Sequence, residues 1–341
     1  MIVHLFTSNF KGKNVQSSLT QTWIRALIIS LVVLGLWEGF WRLRGFSPTI
    51  EDDQKLWSLI RSRVTEDTKA VFIGASRIQL GIHPDIFEEM TGYPPLVLAV
   101  DGNPPFSVLS HLAADPSFKG TLFCSVPPVF MATKPPERDR AEKWVRKYRS
   151  QTFFSRLEVH LSLLIQRTFV FRFPGLSLPR LKERWEDREW PRPPFSVMRA
   201  DRYRAALFTD ENAPRILASR IRRDRQISRE FEPLNPEAFK RRIVSINADV
   251  EKIQARGGRV IFIRMPSSGE IRAIESKTWP RQTYWDVFAA NSSATTIHFE
   301  DHASLAPLDC CPDGSHMDVK DAKVFTRKLM DILIDAKNIS F

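Results

Sequence analysis

The residues whose types suit covalent acyl chemistry are a serine, an aspartate and a histidine placed far apart in the chain. Ser76 stands in Gly74-Ala75-Ser76-Arg77, directly after Val71-Phe72-Ile73. Asp313 and His316 stand in Pro312-Asp313-Gly314-Ser315-His316-Met317. An aspartate three residues before a histidine can place both side chains on one turn. The carboxylate then orients the imidazole and leaves the second ring nitrogen facing a nucleophile. Each pattern is common by itself, since aspartates and histidines before helices are ordinarily caps and G-x-S after a strand also describes a phosphate loop. Their chain order is more informative: a serine after the first strand, a glycine (Gly102) after the second, and D-x-x-H before the last helix. His83 and His302 compete as bases, and Asp301-His302 is the better matched of the two. Cys310, Cys311, Asp313 and His316 are metal-ligand types, but their spacing fits no zinc pattern. No metal or other cofactor is therefore expected.

These residues need a frame that brings distant loops to one edge. Val71–Ile73, Leu96–Val100, Thr121–Val126 and Arg259–Arg264 are short apolar runs, and Thr295–Phe299 is a fifth. They alternate with helical patterns over 52–63, from Pro84 to Gly92, from Asn235 to Gly257, and over 319–334. Continuous apolar strands joined by helical crossovers predict a parallel sheet covered on both faces. Ligands in such sheets bind at the carboxyl ends of the strands, where Ser76, Gly102 and the Ser125 turn would all lie. The loop Met265-Pro266-Ser267-Ser268-Gly269 falls at the same edge.

The chain has 341 residues, enough for one large α/β domain carrying an insertion or for two small domains. Its formal charge of +11 points to an anionic contact such as lipid head groups or an acidic polysaccharide. Nucleic acid ranks last, because no zinc-finger, RNP or lysine-tail pattern occurs. Three cysteines, two of them adjacent, define no disulfide framework. Residues 23–41 form a predominantly apolar run bounded by Trp23 and Trp41, roughly 28 Å long as a helix, which suits one membrane crossing. Arg25 and Glu38 lie near enough to its ends to reach head groups. A buried soluble helix is the alternative. A cleaved signal peptide fits less well, since no small-x-small site follows. Lys11, Lys13 and Arg25 precede the core while Arg42 and Arg44 follow it, a slight bias that puts residues 1–22 inside and the large domain outside. Residues 42–68 form a linker and lead-in helix, and residues 69–341 the α/β domain.

From about 133 to 233 the strand pattern gives way to arginine, tryptophan, phenylalanine and proline. This stretch reads as a basic helical insertion: a cap with solvated arginines, a cover over the Ser76 site that binds an anionic glycan or the membrane surface, or an amphipathic helix on the bilayer near 153–173.

The ordered set of motifs resembles the SGNH (GDSL-like) hydrolase superfamily, and more closely its membrane-anchored bacterial members that carry G-x-S-R in place of G-D-S. Gly74-Ala75-Ser76-Arg77 is similar to the nucleophile block, Ala99-Val100-Asp101-Gly102 to the oxyanion-glycine block, and Asp313-Gly314-Ser315-His316 to the Asp/His block. The resemblance covers 69–128 and 312–317 and leaves the insertion uncovered. It implies a flavodoxin-like three-layer α/β/α sandwich with Ser76 as nucleophile, His316 as general base and Asp313 as its orienter. The N–H groups of Ser76 and Gly102 would be oxyanion donors. It further implies an esterase or O-acyltransferase of the bacterial inner membrane, facing the periplasm and acting on an acylated glycan or envelope polymer. One departure stands out. The superfamily's third block supplies an asparagine side chain to the oxyanion hole, whereas here that turn reads Ser125-Val126-Pro127-Pro128. Asn103, Arg77 or Arg264 would have to replace it, and the two arginines are also substrate-binding candidates. Losing one such donor costs about 2.7–4 kcal/mol of transition-state stabilisation. A non-catalytic protein that keeps this fold to bind a polysaccharide or an assembly partner is therefore the competing reading. The α/β-hydrolase elbow is disfavoured because Ile78 stands where that motif needs glycine.

Overall fold

Strand Ala70–Ile73 (β1) is buried on both faces, the burial expected of a parallel strand roofed by helices on each side. The computed structural model describes residues 12–134, 139–150, 152–305 and 310–335. Lys11, which entered the topology argument, lies outside them. β1 pairs in parallel with Leu96–Val97 (β2) and Thr121–Ser125 (β3), β3 with Arg259–Arg264 (β4), and β4 with Thr295–His298 (β5). The five strands stand in the order β2-β1-β3-β4-β5. Side chains alternate with the pleat: Val71 and Ile73 enter one apolar cluster with helices Gln54–Arg61, Phe106–Ala113 and Pro236–Gln254. Ala70 and Phe72 enter another with helices Pro84–Thr91 and Val319–Asp335. Helices therefore cover both faces of the sheet.

Several element ends follow directly from sequence chemistry. The Asp53 carboxylate caps Gln54–Arg61 by accepting from the N–H groups of Lys55 and Leu56, and the Asn235 side chain caps Pro236–Gln254 through Ala238. Gly92 ends Pro84–Thr91 in the left-handed conformation.

The second apolar run was expected to be a strand as far as Val100, yet β2 closes at Val97. The chain stays beside β1, with Leu98 N–H donating to Phe72 O and Val100 N–H to Gly74 O. Its outward carbonyls, those of Val97 and Ala99, accept from the fully buried Arg202 at 2.8 and 2.7 Å. A guanidinium thus satisfies an edge that a sixth strand would otherwise pair. Arg202 has φ +66° and is fixed by Asp52, which accepts from its Nε and Nη2.

The insertion is mainly helical but also holds an antiparallel ribbon, Ser196–Met198 with Arg204–Ala206, whose three-residue strands are too short to carry a periodic signal. Its longest helix is Asn212–Glu230. Phe153–Gln166 is helical, whereas residues 170–172 form a 3-10 turn, so the segment near 153–173 is not one helix.

Two compact units can be distinguished. The first takes the described residues up to Pro48 together with Thr168–Pro193, and the second takes Thr49–Arg167 and the described residues from Pro194 onward. In the first, helix Gly12–Leu43 contains a stretch, Leu19–Leu43, of 25 residues in which an 18-residue window has a mean hydropathy of 1.7, long and apolar enough to cross a membrane. Glu38 accepts the N–H groups of Val170 and Phe171 at 2.9 and 3.0 Å as well as Arg42 at 2.7 Å, so its carboxylate is spent inside this unit. Trp41, Phe46, Val170 and Leu176 form a small core there.

Gly74 ends β1 with φ +145°, and a methyl group on it would lie 2.9 Å from both the Ser125 carbonyl oxygen and Ile78 Cγ2. Gly74→Ala should lower stability by about 1–3 kcal/mol, read as an earlier urea midpoint at unchanged slope. An unchanged midpoint would show that the turn after β1 tolerates a side chain.

Candidate active site

The tight turn expected after β1 is the start of a short helix, Ser76–Gly81. Ser76 occupies its first position, where a backbone N–H has no intrahelical acceptor. At the other end of the chain Gly314, at φ +77°, bends Asp313-Gly314-Ser315-His316 back on itself. A methyl on Gly314 would meet Ile271 Cγ1 at 2.5 Å, so the loop lies closely against helix Gly269–Thr278. Gly314 O accepts from Ser268 N–H at 3.0 Å, and Asp313 Oδ1 accepts the N–H groups of Ser315 and His316 at 2.9 and 2.7 Å.

In this loop His316 Nδ1 lies 2.8 Å from Asp313 Oδ2, and His316 Nε2 lies 2.9 Å from Ser76 Oγ. The structure therefore brings Ser76, His316 and Asp313 into one hydrogen-bonded line. Donation from Nδ1 to the carboxylate leaves Nε2 as the acceptor for the serine hydroxyl. Burial pushes His316 below its ordinary value; Asp313 opposes this, while Arg220 and Arg77 reinforce it. Burial raises Asp313, but His316 and Arg220 outweigh it and hold the carboxyl far below the usual range. A neutral imidazole beside an ionised carboxylate is the protonation state a general base requires.

Neither competing base is hydrogen-bonded to Ser76, which is joined to His316. The His83 ring packs on Tyr203 at 4.7 Å, and Asp301 is paired with Arg281 at 2.7 Å. Cys310 and Cys311 are not joined by a disulfide, their sulfurs standing 3.4 Å apart, and no metal-binding cluster occurs among the described residues.

Ser76 opens into a cleft of about 180 Å³ whose lining includes Asp101, Gly102, Phe130, Arg223, Asp224 and Trp279. Gly102 has φ +66°, and neither its N–H nor that of Ser76 takes a protein acceptor among the described residues. The Asn103 side chain is not aimed into the cleft. Its amide donates to Asp101 O at 2.8 Å and its oxygen accepts Arg140 N–H at 2.9 Å. Arg77 and Arg264 are turned onto Glu275, which Arg77 Nη2 reaches at 2.5 Å and Arg264 Nη2 at 2.6 Å. All three are buried. Burial raises Glu275, but the two guanidinium groups prevail and draw it down to about 2. Arg77 Nε also donates to Ser315 Oγ at 3.0 Å, which ties the residue after Ser76 to the loop carrying His316. Arg77 thus positions the site, and the guanidinium of Arg264 supports it from beneath.

Sequence reasoning missed Glu275, Arg220, Arg223 and Asp224. Glu275 carries no local signal, because Arg77 lies 198 residues away and Arg264, 11 residues before it, belongs to a different element. The other three fall in Arg220-Ile221-Arg222-Arg223-Asp224, where spacings of three and four put them on neighbouring helical positions. Arg220 Nε donates to Asp313 Oδ2 at 3.0 Å, so the insertion reaches the triad itself.

Glu275→Gln should cost about 3–5 kcal/mol of stability, because it leaves two buried guanidinium groups without their counter-charge. Chemical denaturation measures this, and a loss below about 1 kcal/mol would mean that solvent reaches them. The cation of Arg220 disfavours imidazolium, so its removal raises the His316 pKa. The acid limb of kcat/KM should lie below the ordinary histidine value of 6.5 in the wild type and move to higher pH in Arg220→Met; an unmoved limb would remove Arg220 from the titration. Comparison with protein-family models and with curated proteins finds no match for this chain, so its function is argued from this geometry.

Proposed function

We propose that the protein is an SGNH-like serine esterase or O-acyltransferase, and the observation that carries this reading is the Ser76–His316–Asp313 line beside a cleft. Ser76 Oγ attacks an acyl carbonyl while His316 Nε2 takes its proton, and Asp313 holds the ring and stabilises the imidazolium. The unpaired N–H groups of Ser76 and Gly102 face the developing oxyanion. The imidazolium then protonates the departing alkoxide, and the acyl group remains on Ser76. Water completes an esterase cycle, and a sugar hydroxyl completes a transferase cycle. Val129, Phe130, Ile227, Phe231 and Trp279 give the cleft an apolar wall suited to an acyl group, while Arg223 and Asp224 give it a polar side suited to a glycan.

Support for the family comes from the sheet. Its order, 2-1-3-4-5 when its own strands are counted, is that of flavodoxin-like doubly wound folds, and Ser76 and Gly102 lie beyond the carboxyl ends of β1 and β2, as ligand sites in such folds do. The apolar Leu19–Leu43 helix supports a single-pass anchor in a bacterial inner membrane with the catalytic unit in the periplasm, where acylated envelope glycans would be the substrates.

A fluorophosphonate probe should label the wild type and not Ser76→Ala, and His316→Ala should lose at least about 10³-fold in ester turnover while keeping its circular dichroism spectrum. Equal labelling of wild type and Ser76→Ala would take the serine out of the mechanism. It would favour the non-catalytic reading, binding of a polysaccharide or assembly partner, which draws its support from the engaged Asn103 amide.

A further inference from the structure

An acyl-transfer site that develops negative charge on oxygen usually has a side-chain donor beside its backbone donors. The three side chains that the sequence offered for this task are occupied: Asn103 by Asp101 O and Arg140 N–H, and Arg77 and Arg264 by Glu275. The space over Gly102 is faced instead by two other guanidinium groups. A methyl group built on Gly102 would lie 3.8 Å from Arg140 Nη2 and 3.9 Å from Arg223 Nη2. The Nη2 group of Arg140 already donates to the Asp101 carbonyl. Arg223 makes no hydrogen bond or ion pair among the described residues, and it lines the same cleft as Ser76.

The helix that carries Arg223 is fixed on either side of it. Arg220, one turn earlier, is bound to Asp313, and Ile227, one turn later, packs against the main apolar core. The helix backbone is thus anchored on both sides of Arg223, whose exposed guanidinium lines the cleft with its N–H groups uncommitted. Asp224 is the nearest acidic neighbour in sequence; burial raises its pKa while Arg77, Arg220 and Arg223 lower it, and it forms no ion pair with Arg223 among the described residues.

Resting on the serine-acyl reading above, we propose that Arg223 is a catalytic residue that completes the oxyanion hole from the insertion, in place of the asparagine expected on the turn after β3. As Ser76 Oγ bonds to the acyl carbon, its proton passes to His316 Nε2 and the carbonyl π pair moves onto oxygen. Arg223 and the N–H groups of Ser76 and Gly102 donate to that anion. Collapse re-forms the carbonyl and breaks the ester C–O bond, and the alkoxide leaves with the proton returned by His316. A charged donor stabilises the anion more strongly than a neutral amide does.

The test is steady-state hydrolysis of p-nitrophenyl acetate by the full-length protein in detergent, with phenylboronic acid affinity as a second measurement. The boronate forms a tetrahedral anion on a serine and reports the hole without turnover. Arg223→Met should lower kcat by about 10²–10³-fold with little change in KM, and weaken boronate binding at least tenfold. Arg223→Lys should restore part of both. Arg222→Met, at an exposed position outside the cleft lining, should behave as wild type. Full activity and boronate affinity in Arg223→Met, with Ser76→Ala inactive, would overturn the role of Arg223 and leave the serine reading intact. A rise in KM alone would make Arg223 a substrate-binding group and equally overturn it. A wild type that neither turns over the ester nor binds the boronate would remove the serine reading and this inference together.

Discussion

The buried carboxylate of Glu275 is the point on which the site's geometry depends. It lies between Arg77 and Arg264, accepts from Ser267 Oγ at 2.7 Å, and is drawn down to about 2 by the cations beside it. Each partner belongs to a different chain segment: Arg77 follows the nucleophile, Arg264 ends β4, and Ser267 stands in the loop after it. Arg77 then reaches Ser315, between the aspartate and the histidine of the triad. One buried negative charge thereby sets the spacing between loops that no sheet hydrogen bond joins. Buried ion groups of this kind contribute more to fixing an arrangement than to stability, since their desolvation offsets much of their attraction. A site that must hold Ser76 and His316 within hydrogen-bond reach, 240 residues apart, is where such fixing matters.

This constraint also explains why the arginine of G-x-S-R does not replace the asparagine of the third block. A guanidinium committed to a buried carboxylate cannot turn toward a substrate without stranding that carboxylate, at a cost comparable to what an oxyanion donor contributes. Asn103 is bound by a similar logic, its amide closing the loop that gives Gly102 its left-handed conformation. The side chains of Asn103, Arg77 and Arg264 are thus structural, and the cleft's uncommitted donors among the described residues include the Ser76 and Gly102 N–H groups and, on the insertion, Arg223.

Legibility in the sequence followed the range of the interactions. The five sheet strands were readable because each is a short apolar run ended by glycine, proline or a polar turn, and the helices Pro84–Thr91, Pro236–Gln254 and Val319–Asp335 were readable from their caps and periodicity. The serine and the D-x-x-H motif were readable because local spacing defines them. The early close of β2 was not, because Arg202 ends it from about a hundred residues away. Glu275 was not either, since a glutamate on an amphipathic helix looks like a surface residue until its two cations are known. The charge of +11 suggested an anionic partner, yet several arginines serve as multiple donors to backbone carbonyls. Arg256 takes those of Leu112, Ala113 and Phe118, and Arg242 takes those of Phe130 and Met131. Composition counts such residues as surface charge although the fold uses them as internal braces.

Arg220 carries the same economy into the triad. Asp313 Oδ2 accepts from both His316 and Arg220, so part of the carboxylate's field goes to the guanidinium, and Arg220 itself disfavours the imidazolium. A base weakened in this way stays neutral and available at lower pH, but it draws the serine proton with less driving force. The energy not supplied by the base has to come from the side of the developing oxygen charge. On the serine-acyl reading Arg223, over Gly102, meets that need and stands on the same helix as Arg220, whereas Arg140 opens helix Arg140–Tyr148. On that reading the insertion, through Arg220 and Arg223, puts less weight on proton abstraction and more on holding the anion.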